Sequence, residues 1–326
     1  MLFQVPDCLT KAHAPRSRSF IGTDPPCTER QLWEMHVKFG ADPRSLALYA
    51  HNPDRYESIV VKEIIGASSD DLRYSSYNPD STHHHIFVIS PLPTNRCTFQ
   101  KTIASRHVFE LLWEWHLKDQ IPDMKYFYSR YRGDPTTAPI AGSWIFESRV
   151  HQLLRKEQEI RVLPLTPAGP RRRGPITSLD KRKTPKSPPH LRLPSSDEQS
   201  LAGGLSTGSY YRPKSANFPT IDSLLLARYE HTRRDVLLLF RIAYTTEKIN
   251  VSKDSLRGID ELVLPQINTT KWYMVVTPEG VEPKVKVPFA YFGMEGGGFP
   301  HGKGISLFHY PVPADVLFLP NQSNDA

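Results

Sequence analysis

Residues 164–196 constrain the fold of this chain more than any other segment. They contain eight of the 30 prolines and eight lysines and arginines, with one acidic residue, Asp180. Because proline fixes its own φ and donates no backbone hydrogen bond, such a stretch is a poor candidate for a helix or a central strand. The composition therefore predicts a disordered, proline-rich basic insert over 164–200, which separates two differently patterned halves of the chain.

This insert also accounts for the net charge of the protein. The formal charge of the whole chain is +7, which equals the charge carried by residues 164–196, so the remainder is neutral overall. We therefore expect contact with DNA or RNA on the insert, and not on a uniformly basic surface. The candidate nucleic-acid-binding residues are Arg171, Arg172, Arg173, Lys181, Arg182, Lys183 and Lys186.

Cysteine usage and hydropathy indicate an intracellular protein. The three cysteines, Cys8, Cys27 and Cys97, are odd in number and far apart, which is typical of a reducing compartment. The opening residues lack the apolar core of a secretory signal, and no apolar run approaches membrane length. We expect no membrane partner, and a nuclear location is compatible with the basic insert.

The first half of the chain has mainly helical patterning. Residues 1–28 show no period and predict a poorly ordered leader, and 29–130 predict a mainly helical domain. Thr28 and Gln31 form a candidate capping box for a helix that ends at Gly40. Further helices are predicted after Asp42-Pro43, after Asn52-Pro53, and over Ala104–Leu117 and Ser143–Glu159. A strand is predicted over His85–Ile89, and the preceding histidines are expected to form a solvated turn.

Residues 131–326 are patterned as an α/β domain. Aliphatic runs bounded by turn residues predict strands over Phe218–Leu226, Val236–Tyr244, Trp272–Thr277 and Ile305–Tyr310, with the first two joined as a hairpin. A short helix is predicted over Leu256–Leu262. The fold class is therefore α/β (α+β): a mostly helical N-terminal region, then a mixed sheet flanked by helices.

Two acidic residues suggest a nuclease-like site. Metal-dependent nucleases of the restriction-endonuclease type bring together a carboxylate on a helix, an Asp on one hairpin strand and an E-x-K or Q-x-K element on the next strand. The acids hold Mg²⁺ through hard oxygen ligands, and the lysine orients the attacking water. Glu147 on the predicted helix and Asp222 at the start of the hairpin match the two acidic positions.

The third element of such a site is replaced. Arg241 stands in place of the Glu or Gln, and Ala243 in place of the Lys. A guanidinium repels Mg²⁺, so one interpretation is a structural ion pair between Asp222 and Arg241. The other is a metal held by Glu147 and Asp222, with Lys248 as a displaced catalytic lysine.

A series of short segments carries a family resemblance. They are Phe39–Arg44, His85–Ser90, Ala104–Phe109, Phe146-Glu147, Phe218–Asp222, Leu238–Thr246, Leu256–Ile259 and Trp272–Pro278. In this order the chain resembles the C-terminal part of fungal Crinkler-like and retrotransposon-hot-spot-like proteins, which join a P-loop ATPase module to a nuclease-like domain. The resemblance implies a degenerate PD-(D/E)xK domain, with a restriction-endonuclease-like mixed sheet flanked by helices. Because no Walker A motif is present, it also implies a truncated or split member with a separate ATPase module as partner.

Three functional hypotheses follow from the sequence. The first is a non-catalytic, degenerate nuclease-like protein that contacts nucleic acid mainly through the insert and needs no cofactor. The second is a protein-interaction module whose Arg171–Arg173 and Lys181–Lys183 clusters act as a nuclear-import-like signal for an import receptor. The third is an active Mg²⁺-dependent nuclease that uses Glu147, Asp222 and Lys248.

Overall fold

The fold is known from a computed structural model of the chain. The structure describes residues 27–40, 42–75, 83–91, 99–132, 139–165, 190–194, 196, 198–199, 206–213, 221–229, 234–245, 248–251, 270–286 and 305–319. Three predicted features lie outside the described residues: the leader up to residue 26, the insert cations from Arg171 to Lys186, and the helix Leu256–Leu262.

The first helices begin where the sequence predicts. In α1 (Glu29–Phe39) the Gln31 amide donates to Thr28 Oγ1 at 3.2 Å, and the Thr28 amide donates to Gln31 Oε1 at 2.9 Å. The capping box is therefore confirmed. Side chains of Asp42 and Asn52 likewise accept amide hydrogen bonds at the starts of the next two helices, each with proline at its first position.

The end of α1 requires glycine at residue 40. Gly40 has a left-handed backbone with φ of 62°, and its amide donates to the His36 carbonyl at 2.7 Å. A Cβ at this position would lie 2.1 Å from the carbonyl oxygen of Ala104. Glycine is therefore needed both for the backbone conformation and for the close approach of the chain at Ala104.

The remaining helices follow the predicted pattern with different ends. They are α2 Pro43–Tyr49, α3 Pro53–Gly66, α4 Ser69–Ser75, α5 Arg106–Leu112, α6 Ile121–Arg132, α7 Pro139–Leu154 and α8 Ala314–Leu317. The helix predicted over Ala104–Leu117 changes to a π-turn at Trp113–Leu117, where the Lys118 amide donates to the Trp113 carbonyl. The helix predicted over Ser143–Glu159 starts earlier and ends at Leu154 because Gln158 already pairs in a strand.

Strands dominate the second half of the chain, as predicted. They are β1 Phe87–Pro91, β2 Phe99–Ile103, β3 Gln158–Arg161, β4 Leu163–Pro164, β5 His190–Leu193, β6 Glu198–Gln199, β7 Tyr210–Tyr211, β8 Ser223–Tyr229, β9 Arg234–Ile242, β10 Lys248–Asn250, β11 Thr270–Pro278, β12 Lys284–Lys286 and β13 Ile305–Val312. The predicted hairpin is present as the antiparallel pair β8–β9.

A mixed sheet forms the centre of the molecule. Its described strands lie in the order β4-β13-β11-β9-β8-β7-β6, with β9, β11 and β13 parallel and β7, β8 and β9 antiparallel. The strand pairs β1–β2, β3–β5 and β10–β12 form separate small sheets. The protein is therefore an α+β protein with a mixed sheet and helices packed against it. None of the described helices is long and apolar enough to span a bilayer.

Two apolar clusters cover the two faces of the sheet. Leu238 and Phe240 of β9 belong to the larger cluster, which also contains side chains of α1, α5, α6 and α7. Leu237 and Leu239 belong to the smaller cluster on the opposite face, as the alternation of a strand requires. The larger cluster continues across the predicted domain boundary at 130–131, which lies inside α6. The helical region and the sheet therefore share one core.

A fully buried arginine on α7 connects this core to the last helix. Arg149 Nε donates to the Leu317 carbonyl at 2.6 Å, and Nη2 donates to the Leu319 carbonyl. Its Nη1 donates to Gln152 Oε1 at 2.6 Å. These carbonyls lie at the end of α8, where a helix lacks internal donors and attracts positive charge.

One part of the insert prediction is wrong. Residues His190–Leu193 form β5, which pairs antiparallel with β3, and Leu191 and Leu193 are buried. The alternating apolar residues of this short stretch bury their side chains in the larger cluster. Strand β6 also lies within 164–200, so a disordered insert over that whole range is contradicted at its C-terminal end.

Candidate functional site

The predicted partners Asp222 and Arg241 are in contact. Arg241 Nη1 donates to Asp222 Oδ1 at 2.8 Å, and the Ile242 amide donates to Asp222 Oδ2 at 2.6 Å. The antiparallel register of β8 and β9 places them together, because Ser223 lies opposite Phe240. Both carboxylate oxygens of Asp222 therefore have a donor from the neighbouring strand.

The ion pair between Asp222 and Arg241 is partly shielded from solvent. The side chains of Asp222 and Arg241 are 23% and 33% exposed. Burial raises the pKa of Asp222, and the charge of Arg241 and the Ile242 amide act against that rise. Arg241 therefore offsets part of the cost of burying the Asp222 carboxylate.

Glu147 is also held by guanidinium groups, but by different ones. Arg106 donates with both terminal nitrogens to the two oxygens of Glu147, each at 3.0 Å. Arg212, two residues after the start of β7, donates to Glu147 Oε1 at 3.0 Å. The fork between Arg106 and Glu147 is the bidentate geometry that makes arginine–carboxylate pairs strong.

Arg106 is positioned by its own local contacts. Ser105 caps α5, so Arg106 is the first residue of that helix. Its guanidinium lies 5.8 Å from the ring centroids of both Phe109 and Trp144, and its Nε donates to Glu110 Oε1 at 3.0 Å. Aromatic packing and a second carboxylate thus orient the side chain toward Glu147.

The electrostatics of Glu147 are dominated by these neighbours. Burial opposes ionisation, but interactions with His151 and with Arg106 outweigh it and lower the pKa of Glu147 to about 2. The side chain is 29% exposed, so solvent screens the contacts only partly. Glu147 is therefore a carboxylate stabilised in its ionised form across the physiological range.

His151 lies one helical turn after Glu147 and is nearly buried. Its Nδ1 is 2.5 Å from the Tyr210 hydroxyl, and its Nε2 is 3.8 Å from Glu147 Oε1. That Nε2 atom is buried without a hydrogen-bond partner among the described residues. Burial lowers the pKa of His151, so the imidazole is neutral near pH 7.

The three residues expected to converge do so only in part. Asp222 and Arg241 are bonded, whereas the described contacts of Glu147 are with Arg106, Arg212 and His151. Arg241 follows Leu237 and Leu239, whose side chains lie on the sheet face opposite the one that α7 covers. Glu147 nevertheless contributes to the raised pKa of Asp222, after burial as the largest cause.

The arrangement does not fit Mg²⁺ as it stands. A hard cation binds through free carboxylate oxygens, but those of Glu147 and Asp222 already accept from guanidinium or amide groups. Within the described ranges, no three His, Cys, Asp or Glu side chains are grouped to hold a metal ion. Lys248 begins β10, in a different sheet from β8, which Asp222 precedes, and the Lys248 side chain is outside the described part of the structure.

The sequence does not predict the three partners of Glu147, which are Arg106, Arg212 and His151. His151 had a detectable signal, because residues four apart on a helix share a face. No sequence signal identifies Arg106 or Arg212, because each contacts Glu147 only through the packing of elements distant in the chain.

Comparison with known proteins does not assist the assignment: no family model, curated protein or solved structure matches the chain.

Proposed function

We propose that the protein is a non-catalytic, nuclease-like α+β protein that contacts DNA or RNA mainly through its basic insert. The observation that carries the proposal is the pairing of both candidate catalytic carboxylates with arginines. Asp222 is bound by Arg241, and Glu147 is bound by Arg106 and Arg212. Because these pairs neutralise the acids, the cluster supports structure more readily than metal chemistry.

The charge distribution supports the nucleic-acid part of the proposal. The arginine cluster around the two candidate acids adds no net positive charge, because its three arginines are matched by three carboxylates. These residues are Arg106, Arg212, Arg241, Glu110, Glu147 and Asp222. The insert, in contrast, contains eight lysines and arginines with one aspartate. Cations clustered in this way bind phosphates without sequence preference and release counterions, which makes the affinity fall steeply with salt.

Deleting residues 168–187 is expected to remove most nucleic-acid binding. This deletion removes the seven candidate cations and leaves β4 and β5 in place. Fluorescence anisotropy with random duplex DNA, single-stranded DNA and RNA should show at least a tenfold loss at 50 mM salt. The slope of log K against log salt should fall by up to about six, at about 0.9 per duplex phosphate contact.

A matched control separates the insert from general surface charge. Lys62→Gln with Lys125→Gln removes two exposed cations from α3 and α6 and should leave binding unchanged. Undetectable binding of the intact protein at low salt would contradict the proposal and favour the protein-interaction hypothesis. Mg²⁺- or Mn²⁺-dependent cleavage that Asp222→Asn abolishes would show that the site is catalytic.

A further inference from the structure

A half-buried carboxylate outside the arginine cluster has two imidazole neighbours. Glu63 lies on α3 with its side chain 15% exposed. Its Oε1 is 3.2 Å from His83 Nδ1, and its Oε2 is 3.9 Å from His85 Nε2. His85 Nδ1 is in turn 3.1 Å from the hydroxyl of Tyr56, which lies nearer the start of α3. The histidines therefore do not form the fully solvated turn that the sequence predicts.

These contacts connect α3 to the hairpin formed by β1 and β2. The Phe87 amide donates to the His83 carbonyl at 3.1 Å, and the Ala104 amide donates to the Ile86 carbonyl at 2.9 Å. The turn that contains the histidines is thus bonded to the backbone of the hairpin. The contacts of Glu63 therefore join α3 to the turn that leads into β1.

The surroundings of Glu63 differ from those of Glu57 on the same helix. Glu57 Oε2 accepts from Lys38 Nζ at 2.7 Å and contacts His107, and the hydrogen bond from Lys38 lowers the pKa of Glu57. The described contacts of Glu63 are imidazoles and the His85 amide, with no such compensating cation. The charged and titratable groups around the histidines are Asp42, Tyr56, Asp71, His84 and Lys101.

We propose that Glu63, His83 and His85 form a proton-operated clasp between α3 and the β1–β2 hairpin. In the closed clasp the carboxyl group of Glu63 stays protonated, and its O–H donates a hydrogen bond to His83 Nδ1. The proton is held between two partly buried groups that are both neutral. Loss of the proton leaves an uncompensated carboxylate in this position and weakens the clasp.

The titration of the three groups agrees with this geometry. Burial raises the pKa of Glu63 to about 7 and lowers the pKa values of His83 and His85. A carboxyl whose pKa is raised on folding stabilises the folded form below its unfolded pKa, and this contribution is lost as the pH rises through 7. The two histidines act in the opposite direction, since their lowered pKa values cost stability as the pH falls below 6.5.

Hydrogen exchange of the full chain tests the clasp. Amide protection of β1 and β2 is compared between the wild type and Glu63→Gln from pH 5 to pH 8, after correction for the intrinsic rates. Both proteins keep the two histidines, so the ratio of their opening constants reports the titration of Glu63 together with its coupling to His83. We expect the opening constant of the wild type, divided by that of Glu63→Gln, to rise by up to about tenfold per pH unit between pH 5 and 7. Above pH 7 the ratio should level off.

The control variant is His51→Gln, which alters an exposed histidine just before α3 and should follow the wild type at every pH. A pH-independent ratio for Glu63→Gln would overturn the clasp. A rise in midpoint temperature of several degrees on adding Zn²⁺, absent in Glu63→Gln, would also overturn it, because the cluster would then be a metal site.

Discussion

Glu147→Gln is expected to lower the free energy of unfolding at pH 7 by about 3 kcal/mol. The pKa of Glu147 falls from 4.5 to about 2 on folding, which at about 1.4 kcal/mol per unit corresponds to about 3.5 kcal/mol, and solvent screening of the 29% exposed side chain reduces this value. Glutamine keeps the size of the side chain but supplies one weak acceptor to Arg106 and Arg212. Urea unfolding at pH 7 measures the loss.

The pH dependence of this difference has a defined sign. A carboxylate whose pKa is lowered on folding contributes stability that is present above pH 4.5 and lost as the pH falls through 2. The gap between wild type and Glu147→Gln should therefore narrow as the pH falls from about 5 to 2. A gap that stays constant over that interval would show that the charge of Glu147 is not its cause.

Glu110→Gln is the matched control for this variant. Glu110 also accepts from Arg106, at 3.0 Å from Nε, but its side chain is 55% exposed. Exposed pairs of this kind contribute less than about 1 kcal/mol. Equal losses for the two variants would contradict the bidentate fork as the stabilising contact.

Arg149→Met is expected to cost about 3 kcal/mol. Methionine fills a similar volume, but the carbonyls of Leu317 and Leu319 and the side-chain oxygen of Gln152 lose a charged donor. Burial lowers the pKa of Arg149, which shows that desolvation already opposes its charge, so the net loss is smaller than the sum of three charged hydrogen bonds. Thermal unfolding and hydrogen exchange at α8 measure the effect.

Two further variants define what Arg149 does. Arg149→Lys keeps the charge but lacks the planar fork, so an intermediate loss is expected. Arg161→Met removes an exposed arginine from β3 and should change stability by less than about 0.5 kcal/mol. If Arg149→Met were as stable as the wild type, the guanidinium would not be needed to hold the last helix.

Local sequence signals predicted the local parts of the fold. Thr28, Asp42 and Asn52 begin helices because their side chains accept amide hydrogen bonds within three residues, a range that a sequence reveals directly. The hairpin β8–β9 was predicted for the same reason, since its strands are adjacent in the chain. The end of α7 was missed because Gln158 pairs with Leu193, far away in sequence.

The candidate site shows the same division between local and distant information. Asp222 and Arg241 lie on consecutive antiparallel strands, so their pairing was open to prediction from the hairpin. Glu147 meets Arg106 and Arg212 through three separate elements, and no spacing rule connects those positions. The buried Arg149 resembles a surface arginine in sequence, and only the position of α8 explains its burial.

The anchoring of α8 by Arg149 affects how the protein folds while it is being synthesised. Leu317 and Phe318 lie in the same apolar cluster as Met35 and Phe39, and the ring of Phe318 is 5.2 Å from that of Tyr128. The ribosome makes these residues after all the helices they cover, so those helices are without part of their apolar covering until residue 318 has been added. Nascent chains halted before residue 317 should therefore bind chaperones and be degraded by proteases more readily than chains that include α8.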